Sequence, residues 1–442
     1  MLCKHKRIGE RRDDMKKRRS RLAVLFLCLT VLAGCTDAGR LSLNTSPDPL
    51  PPQEQPAPEK AISAAQEQPA PEKAISAAQE QSAPENAVSA AQEQTPALQT
   101  PAPPALEAAG EIRMMGVPMT VLTDGKTRFL PAARTLRIAG VEVQEEESAV
   151  LFELNGSCKL EDGSGLFLRN AERTVLEAAA RVQEGELYAP IKLLAALLSL
   201  ERGETEDGTE YYAKRTELGE IPPDVNVPIL MYHAVSDDCW GFPELFVSPS
   251  EMEQQLAWLT ENGYDAIWME DLCHLEDYDK PVILTFDDGY DDNYTELFPL
   301  LQKYNVKATF FVIAGSLGQT HKMTAEQVME VSQSGLVSVQ SHSMTHPYLN
   351  ELDEERLNWE LGECQRVIAS LTGKIPNVLC YPSGGYNWLT IEVAKQNGYD
   401  YGIRMEGCLY HTSADPFRIE RCYIARETSL EEFQNYLRLT DG

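Results

Sequence analysis

The chain has 442 residues, and its 68 acidic side chains against 39 Lys and Arg give a formal net charge of −29 at pH 7. A surface this acidic repels phosphates, so no nucleic acid is an expected partner. A neutral substrate is not excluded, and the length allows more than one folded unit.

At the N-terminus Lys16, Lys17, Arg18, Arg19 and Arg21 precede an apolar run over 22–32, closed by Leu32-Ala33-Gly34-Cys35. The run is too short to read as a bilayer span and has the layout of a secretory signal, with Met15 as its expected start. Leu32-Ala33-Gly34-Cys35 resembles the lipobox of bacterial lipoproteins. The resemblance implies that 1–35 is a lipoprotein signal peptide and that a lipid anchor on Cys35 holds the protein to the extracellular face of the bacterial membrane. Residues 36–109 then read as a disordered tether. Segments starting at Gln53, Gln66, Gln79 and Gln92 repeat every thirteen residues and are rich in Pro, Ala, Glu and Gln. Proline in every copy breaks helices, and large apolar groups are too few for a solenoid. About sixty residues extended at ~3 Å each would reach on the order of 150 to 200 Å, far enough to enter a cell wall.

Residues 110–217 are expected to form a small α+β unit. Apolar patches at 117–122, 149–154 and 187–200 are separated by acidic and Gly turns. The stretch 187–197, followed by Tyr211-Tyr212-Ala213, resembles the closing helix and strand of copper-amine-oxidase N-terminal stalk domains. No histidine occurs there, so no copper site is expected, and the unit reads as a spacer or wall-binding module. Pro222-Pro223 marks the next boundary, and 225–442 follows as the candidate catalytic region.

That region opens with a strand pattern, Val227-Pro228-Ile229-Leu230-Met231-Tyr232, ending in His233. Ser248-Pro249-Ser250-Glu251 is a capping box with Pro at the first helical position; Met252, Leu256 and Leu259 supply the apolar stripe and Gly263 the stop. A β-run follows at 266–268. Alternation continues with strand 282–286, helix 293–304, strand 306–313, helix 324–334, strand 336–339, helix 353–371, strand 378–381, helix 388–396 and strand 401–403. Such alternation predicts a parallel sheet covered by helices, an α/β fold.

Two motifs carry the chemistry. Thr285-Phe286-Asp287-Asp288-Gly289-Tyr290 places two carboxylates at the C-terminal end of a buried strand, where α/β folds keep their sites. Gly289 supplies the turn that lets the neighbouring acids take different jobs. Ser341-His342-Ser343-Met344-Thr345-His346-Pro347 offers two imidazoles four residues apart, which one helical turn or a loop wrapped round an ion would bring together. Asp-Asp-Gly alone is a common turn and His-x-x-x-His alone a common helical face. Together, each after an apolar β-rich run, they specify two His and one carboxylate on a divalent metal with a second carboxylate free as a base.

At these residues the chain resembles the polysaccharide deacetylases of carbohydrate esterase family four, which share the NodB homology domain; the resemblance covers roughly 227 to the C-terminus. It implies a distorted (β/α) barrel with Asp287 as catalytic base and Asp288, His342 and His346 as metal ligands, zinc being the default ion and cobalt, nickel or iron also fitting. The family's third block is only partly kept in Cys380-Tyr381-Pro382-Ser383-Gly384-Gly385-Tyr386: its Arg and its aromatic are missing. A backbone donor survives side-chain replacement, so the Ser383 amide is the expected oxyanion donor. His233, ahead of the Asp-Asp block, resembles the acid histidine of the circularly permuted branch typified by biofilm poly-N-acetylglucosamine deacetylases. It is the candidate general acid, with His411 as runner-up. Arg421 is the candidate that orients Asp287.

The expected function is therefore removal of N-acetyl groups from an N-acetylglucosamine-containing polysaccharide at the cell surface. Two alternatives stand beside it: an inactive glycan-binding lipoprotein, and an O-acetyl polysaccharide esterase using the same centre. No motif specifies a protein partner. Of the ten cysteines, Cys3 and Cys28 fall in the signal and Cys35 is the anchor; the odd remainder shows no zinc-ribbon spacing and implies no disulfide framework.

Overall fold

Residues 104–405, 407 and 410–438 are described in the computed structural model of the protein. The expected signal, the Cys35 anchor and the repeats lie outside them.

The first described region is built on two sheets. In one, Leu200–Glu204, Glu210–Arg215, Glu107–Met114, Val117–Thr123, Arg128–Pro131, Glu186–Pro190 and Arg181–Gln183 lie side by side. The other is an antiparallel meander running from Val143–Glu146 to Glu172–Val175. Side chains alternate between core and solvent along these strands, as at Ser157–Glu161, where Cys158 and Leu160 turn inward. The helices Ala132–Ile138 and Ile191–Leu198 each begin directly after a proline, Pro131 and Pro190. Proline's missing N–H costs nothing at a helix start. Met114, Met119, Leu136, Leu160 and Leu194 share one core, giving the α+β arrangement that the patches predicted.

The second region is a curled parallel sheet. Its strands are β1 (Ile229–Tyr232), β2 (Asp265–Ile267), β3 (Pro281–Phe286), β4 (Ala308–Val312), β5 (Val337–Ser341), β6 (Val378–Cys380), β7 (Tyr401–Ile403) and β8 (Cys422–Tyr423). They lie in the order β7-β6-β5-β4-β3-β1-β8, with β2 beside the start of β3. Every residue of β1, β4 and β5 is buried, the signature of strands covered on both faces. The segment leading into β8 pairs Ile419 with Ile403 of β7, and β8 pairs with β1, so the two ends of the curl are joined. This joining segment carries Arg421 and was not foreseen from the sequence.

Six helices cover the sheet: α1 (Pro249–Glu261), α2 (Phe298–Tyr304), α3 (Ala325–Gln333), α4 (Glu354–Thr372), α5 (Trp388–Gln396) and α6 (Leu430–Arg438). The capping box expected at α1 forms: Ser248 accepts from the Glu251 amide, and the Glu251 carboxylate accepts from the Ser248 amide. Met252, Leu256 and Leu259 are its buried stripe. The single helix expected over 293–304 is instead a π-helical turn, Asn293–Leu297, followed by α2. Pro299 explains the change, because it has no N–H for the carbonyl four residues back and its ring crowds that carbonyl. Helix α6 carried no expectation; Phe433 and Leu437 bury it against the main core beside Leu256 and Leu259 of α1.

The two regions share a sheet edge. Glu210–Arg215 pairs in parallel with Lys374–Ile375, and Tyr211, Ala213, Ala369 and Ile375 close over the join.

Candidate metal centre and active site

Asp287 and Asp288 leave the C-terminal end of β3, and His342 leaves that of β5, so parallel topology brings residues distant in sequence to one mouth. The Asp287 amide donates to the Tyr232 carbonyl of β1 (3.0 Å) and the His342 amide to the Val312 carbonyl of β4 (3.0 Å), fixing both chains as they leave the sheet. Asp288, Ser343 and His346 all sit at positive φ (73°, 62° and 61°). Non-glycine residues rarely adopt this conformation, and such strain collects where function demands a geometry.

The ligand atoms of Asp288, His342 and His346 lie within 4.8 Å of one another. The His342 Nε2 is 3.4 Å and the His346 Nε2 3.5 Å from Asp288 Oδ1. His342 Nδ1 donates to the Cys380 carbonyl (2.9 Å), which leaves Nε2 to face Asp288. The histidines are thus joined by a loop, not a helical turn. Burial, then the charge of His342, pushes His346 down to about 4, so its imidazole is neutral and able to ligate at physiological pH. Burial works to raise Asp288, but the hydrogen bond and charge of His342 outweigh it and hold the carboxyl well below its usual range. Burial works to lower His342, but Cys380 and Asp288 outweigh it and hold the ring protonated here; with a cation in place of its Nε2 proton, two imidazoles and one ionised carboxylate would suit a zinc-like divalent ion.

A second cluster, Asp287, His342 and Cys380, also has its polar atoms close together. Its chemistry differs, because Arg421 lies there. The wholly buried guanidinium forms a two-pronged ion pair with Asp287, Nη1 to Oδ1 and Nη2 to Oδ2, both 2.7 Å. It also donates to Thr285 Oγ1 (2.9 Å) and Cys380 Sγ (3.2 Å). A fixed positive charge beside Asp287 disfavours a cation on that carboxylate, which leaves the Asp288 set as the metal site. Burial alone would raise Asp287; the charge and hydrogen bonds of Arg421 overcome it and lower it, keeping the carboxylate ionised.

His233 follows β1 directly and reaches the same mouth. It is buried, its Nδ1 has no hydrogen-bond partner among the described residues, and its ring meets Tyr423 edge-on at 6.2 Å. Burial lowers it, against the pull of the Asp287 and Asp288 charges. His411 is placed differently: it is exposed and pairs with Asn226, ahead of the first residue of β1 and therefore at the opposite end of that strand from His233. Ser383 is the exposed residue of the turn Pro382–Gly384, whose Pro382 is buried; it sits at φ 51°, three residues past the Cys380 carbonyl that orients His342. Sequence reasoning missed Glu360 of α4. It is fully buried and accepts from the Thr345 amide (2.8 Å), from Thr345 Oγ1 (2.5 Å) and from Arg356 (2.8 Å), pinning the turn that presents His346.

The polysaccharide deacetylase family profile matches residues 275–402, the span holding both aspartates and both histidines. The Bacillus subtilis protein YxkH, assigned as a polysaccharide deacetylase, is 31% identical over 237 residues, covering 52% of this chain and 81% of YxkH. The chain belongs to the polysaccharide deacetylase family. This deacetylase is also 26% identical over 268 residues to the poly-β-1,6-N-acetyl-D-glucosamine N-deacetylase of Escherichia coli O157:H7, covering 50% of the chain but only 40% of that enzyme. The Staphylococcus epidermidis enzyme of the same name is 23% identical and 72% covered. Among solved structures, the Streptococcus pyogenes deacetylase PplD in complex with acetate aligns with 28% identity and a TM-score of 0.46 over 48% of this chain and 99% of its own. BC0361, a polysaccharide deacetylase from Bacillus cereus, aligns at 22% identity and TM-score 0.46 over 67% of this chain and 98% of its own.

Proposed function

We propose that the protein removes N-acetyl groups from an N-acetylglucosamine-containing polysaccharide in the cell envelope. The observation that carries this reading is the pairing of one carboxylate, Asp288, with two imidazoles, beside a second carboxylate, Asp287, that Arg421 keeps ionised and apart. A pure glycan-binding protein has no use for that second carboxylate. The names of the E. coli and staphylococcal relatives support poly-N-acetylglucosamine as the substrate class.

A divalent cation held by Asp288, His342 and His346 would supply a Lewis acid for the acetamide carbonyl and lower the pKa of water at the site. Asp287 accepts the proton of the attacking water, which its ionised state allows. The Ser383 amide donates to the oxygen that gains charge as the carbonyl carbon becomes tetrahedral. His233 carries the proton to the departing amine, acting from the same mouth. Anchoring through Cys35 and a long spacer would present the site to glycan in the wall, following the lipobox resemblance.

The test is acetate release from N-acetylglucosamine oligomers, compared with an O-acetylated xylan. Chelation should abolish release and zinc restore it, and Asp287→Asn should lower the rate by about 10²- to 10⁴-fold while the protein keeps its metal. Activity that survives chelation, or a xylan ester cleaved in preference to the amide, would overturn the reading.

A further inference from the structure

Among the described residues, the large apolar side chains left exposed in the barrel region are Trp240, Phe242, Tyr348, Trp388 and Met405. Each lies on a segment that follows the C-terminal end of a strand: β1, β1, β5, β6 and β7 respectively. They gather at the end of the barrel that holds Asp288, and Trp240 is the one whose contacts lead back to the metal centre.

Trp240 sits on the loop between Ala234–Val235 and Phe246–Val247, two short strands that pair and so fix the loop's ends. Its ring lies parallel on His321, with centroids 4.1 Å apart and planes 4° apart, and meets Phe246 and Tyr290 at steep angles, 4.9 and 4.8 Å away. Tyr290 follows the metal ligand Asp288 by two residues in the chain. Lys322 ties the group together, its Nζ 3.7 Å from the Tyr290 ring centroid and donating to the Asp288 carbonyl (3.0 Å). Three aromatic supports therefore hold Trp240 one tyrosine ring away from a metal ligand, yet the side chain stays 37% exposed. An indole so braced is ordered before any ligand arrives, which removes the cost of fixing it on binding.

We propose that Trp240 is the stacking wall for the sugar next to the one that loses its acetyl group. The inference rests on the glycan reading above and deepens it. A pyranose presents a flat apolar C–H face that an indole covers well, and its hydroxyls remain free for solvent and polar neighbours. An indole beside the metal centre, rather than in it, would meet a sugar that neighbours the reacting one. The wall therefore favours a polymer over a single sugar.

The experiment compares the parent, Trp240→Ala and Trp240→Phe, supplied with zinc, on N-acetylglucosamine oligomers of increasing length and on para-nitrophenyl acetate, which has no neighbouring sugar. Trp240→Ala should lower kcat/KM on the longer oligomers by about 10- to 100-fold, chiefly through KM, and leave the aryl ester unchanged. Trp240→Phe should recover most of the loss. Equal loss on every substrate would mean that the ring only supports the fold, and no loss on long oligomers would mean that it touches no sugar; either overturns the proposal. Calorimetric binding of a long oligomer to Asp287→Asn, with and without Trp240→Ala, reads the same wall without turnover. If the parent releases no acetate from any oligomer, the proposed function fails, while unchanged binding in this second assay would sink the wall by itself.

Discussion

Arg421 and Asp287 are both buried, and each is the other's charge partner at the base of the active site. Removing one partner of such a pair leaves an uncompensated charge away from water, at a cost of about 3–5 kcal/mol. Arg421→Met should therefore lower stability by that amount in denaturant titrations and abolish activity as well; a variant as stable as the parent would show that water already reaches Asp287. Cys380 is a subtler case. It occupies the family's third block, where the Arg is missing, and the guanidinium arrives instead from Arg421, 41 positions further along the chain. The Cys380 thiol donates to Asp287 Oδ2 (3.5 Å) and its sulfur accepts from Arg421, so it completes a small ring of polar contacts around the base. Replacing it with Ser keeps a donor and an acceptor, whereas Ala removes both. Cys380→Ala should lower kcat about fivefold, in line with roughly 1 kcal/mol for one hydrogen bond, with KM unchanged and Cys380→Ser close to the parent. Equal rates for all three would mean that the thiol only fills space.

At the scale of elements, what the sequence revealed depended on how local the cause was. The strands at 282–286 and 401–403 and the capping box of α1 follow from apolar runs, alternation and side chains three residues apart, and the structure has them in place. The aspartate and histidine motifs were legible because each is contiguous and each follows a strand. What stayed hidden depends on contacts between distant elements. Arg421 is named as the residue that orients Asp287 through the family resemblance alone: it reaches that carboxylate across 134 positions, and nothing in its neighbours announces the strand pairing that takes it there. Glu360 reads as one more acid on an amphipathic helix, yet it is buried and holds the His346 turn. Partners that orient a ligand typically carry 10- to 100-fold of metal affinity. Glu360→Gln removes the charge and turns an amide N–H₂ toward the Thr345 N–H in one of its two orientations. It should weaken zinc retention by about that factor when the protein is dialysed against a competing chelator, before any change in helix content. Full zinc retention would assign Glu360 to stability alone.

Across the whole molecule, the sheet edge shared by the two described regions lies at the end of the barrel opposite the site, while Glu206 of the first region also reaches Glu363 and Trp359 further up α4. In parallel α/β topology each covering helix runs back from the mouth, so the C-terminus of α4 and the Lys374–Ile375 edge that precedes β6 belong to the far end. There the backbones meet almost without side chains between them. Gly116, at φ 82°, passes so close to α4 that a Cβ would stand 2.3 Å from the Leu371 carbonyl oxygen, and a Cβ on Gly373 would stand 2.3 Å from the Met115 carbonyl carbon. Neither neighbour is a flexible side chain that could swing away. Gly116→Val must therefore separate the hairpin turn from the helix, disturbing the pairing of Glu210–Arg215 with Lys374–Ile375 and the cluster of Tyr211, Ala213, Ala369 and Ile375. The barrel's own core and mouth are not touched by this change. Limited proteolysis should then cut the irregular segment over 216–225 several times faster than in the parent, and para-nitrophenyl acetate turnover should stay within about twofold. Loss of turnover in step with cleavage would show instead that the first region holds the barrel's mouth in shape through its far end.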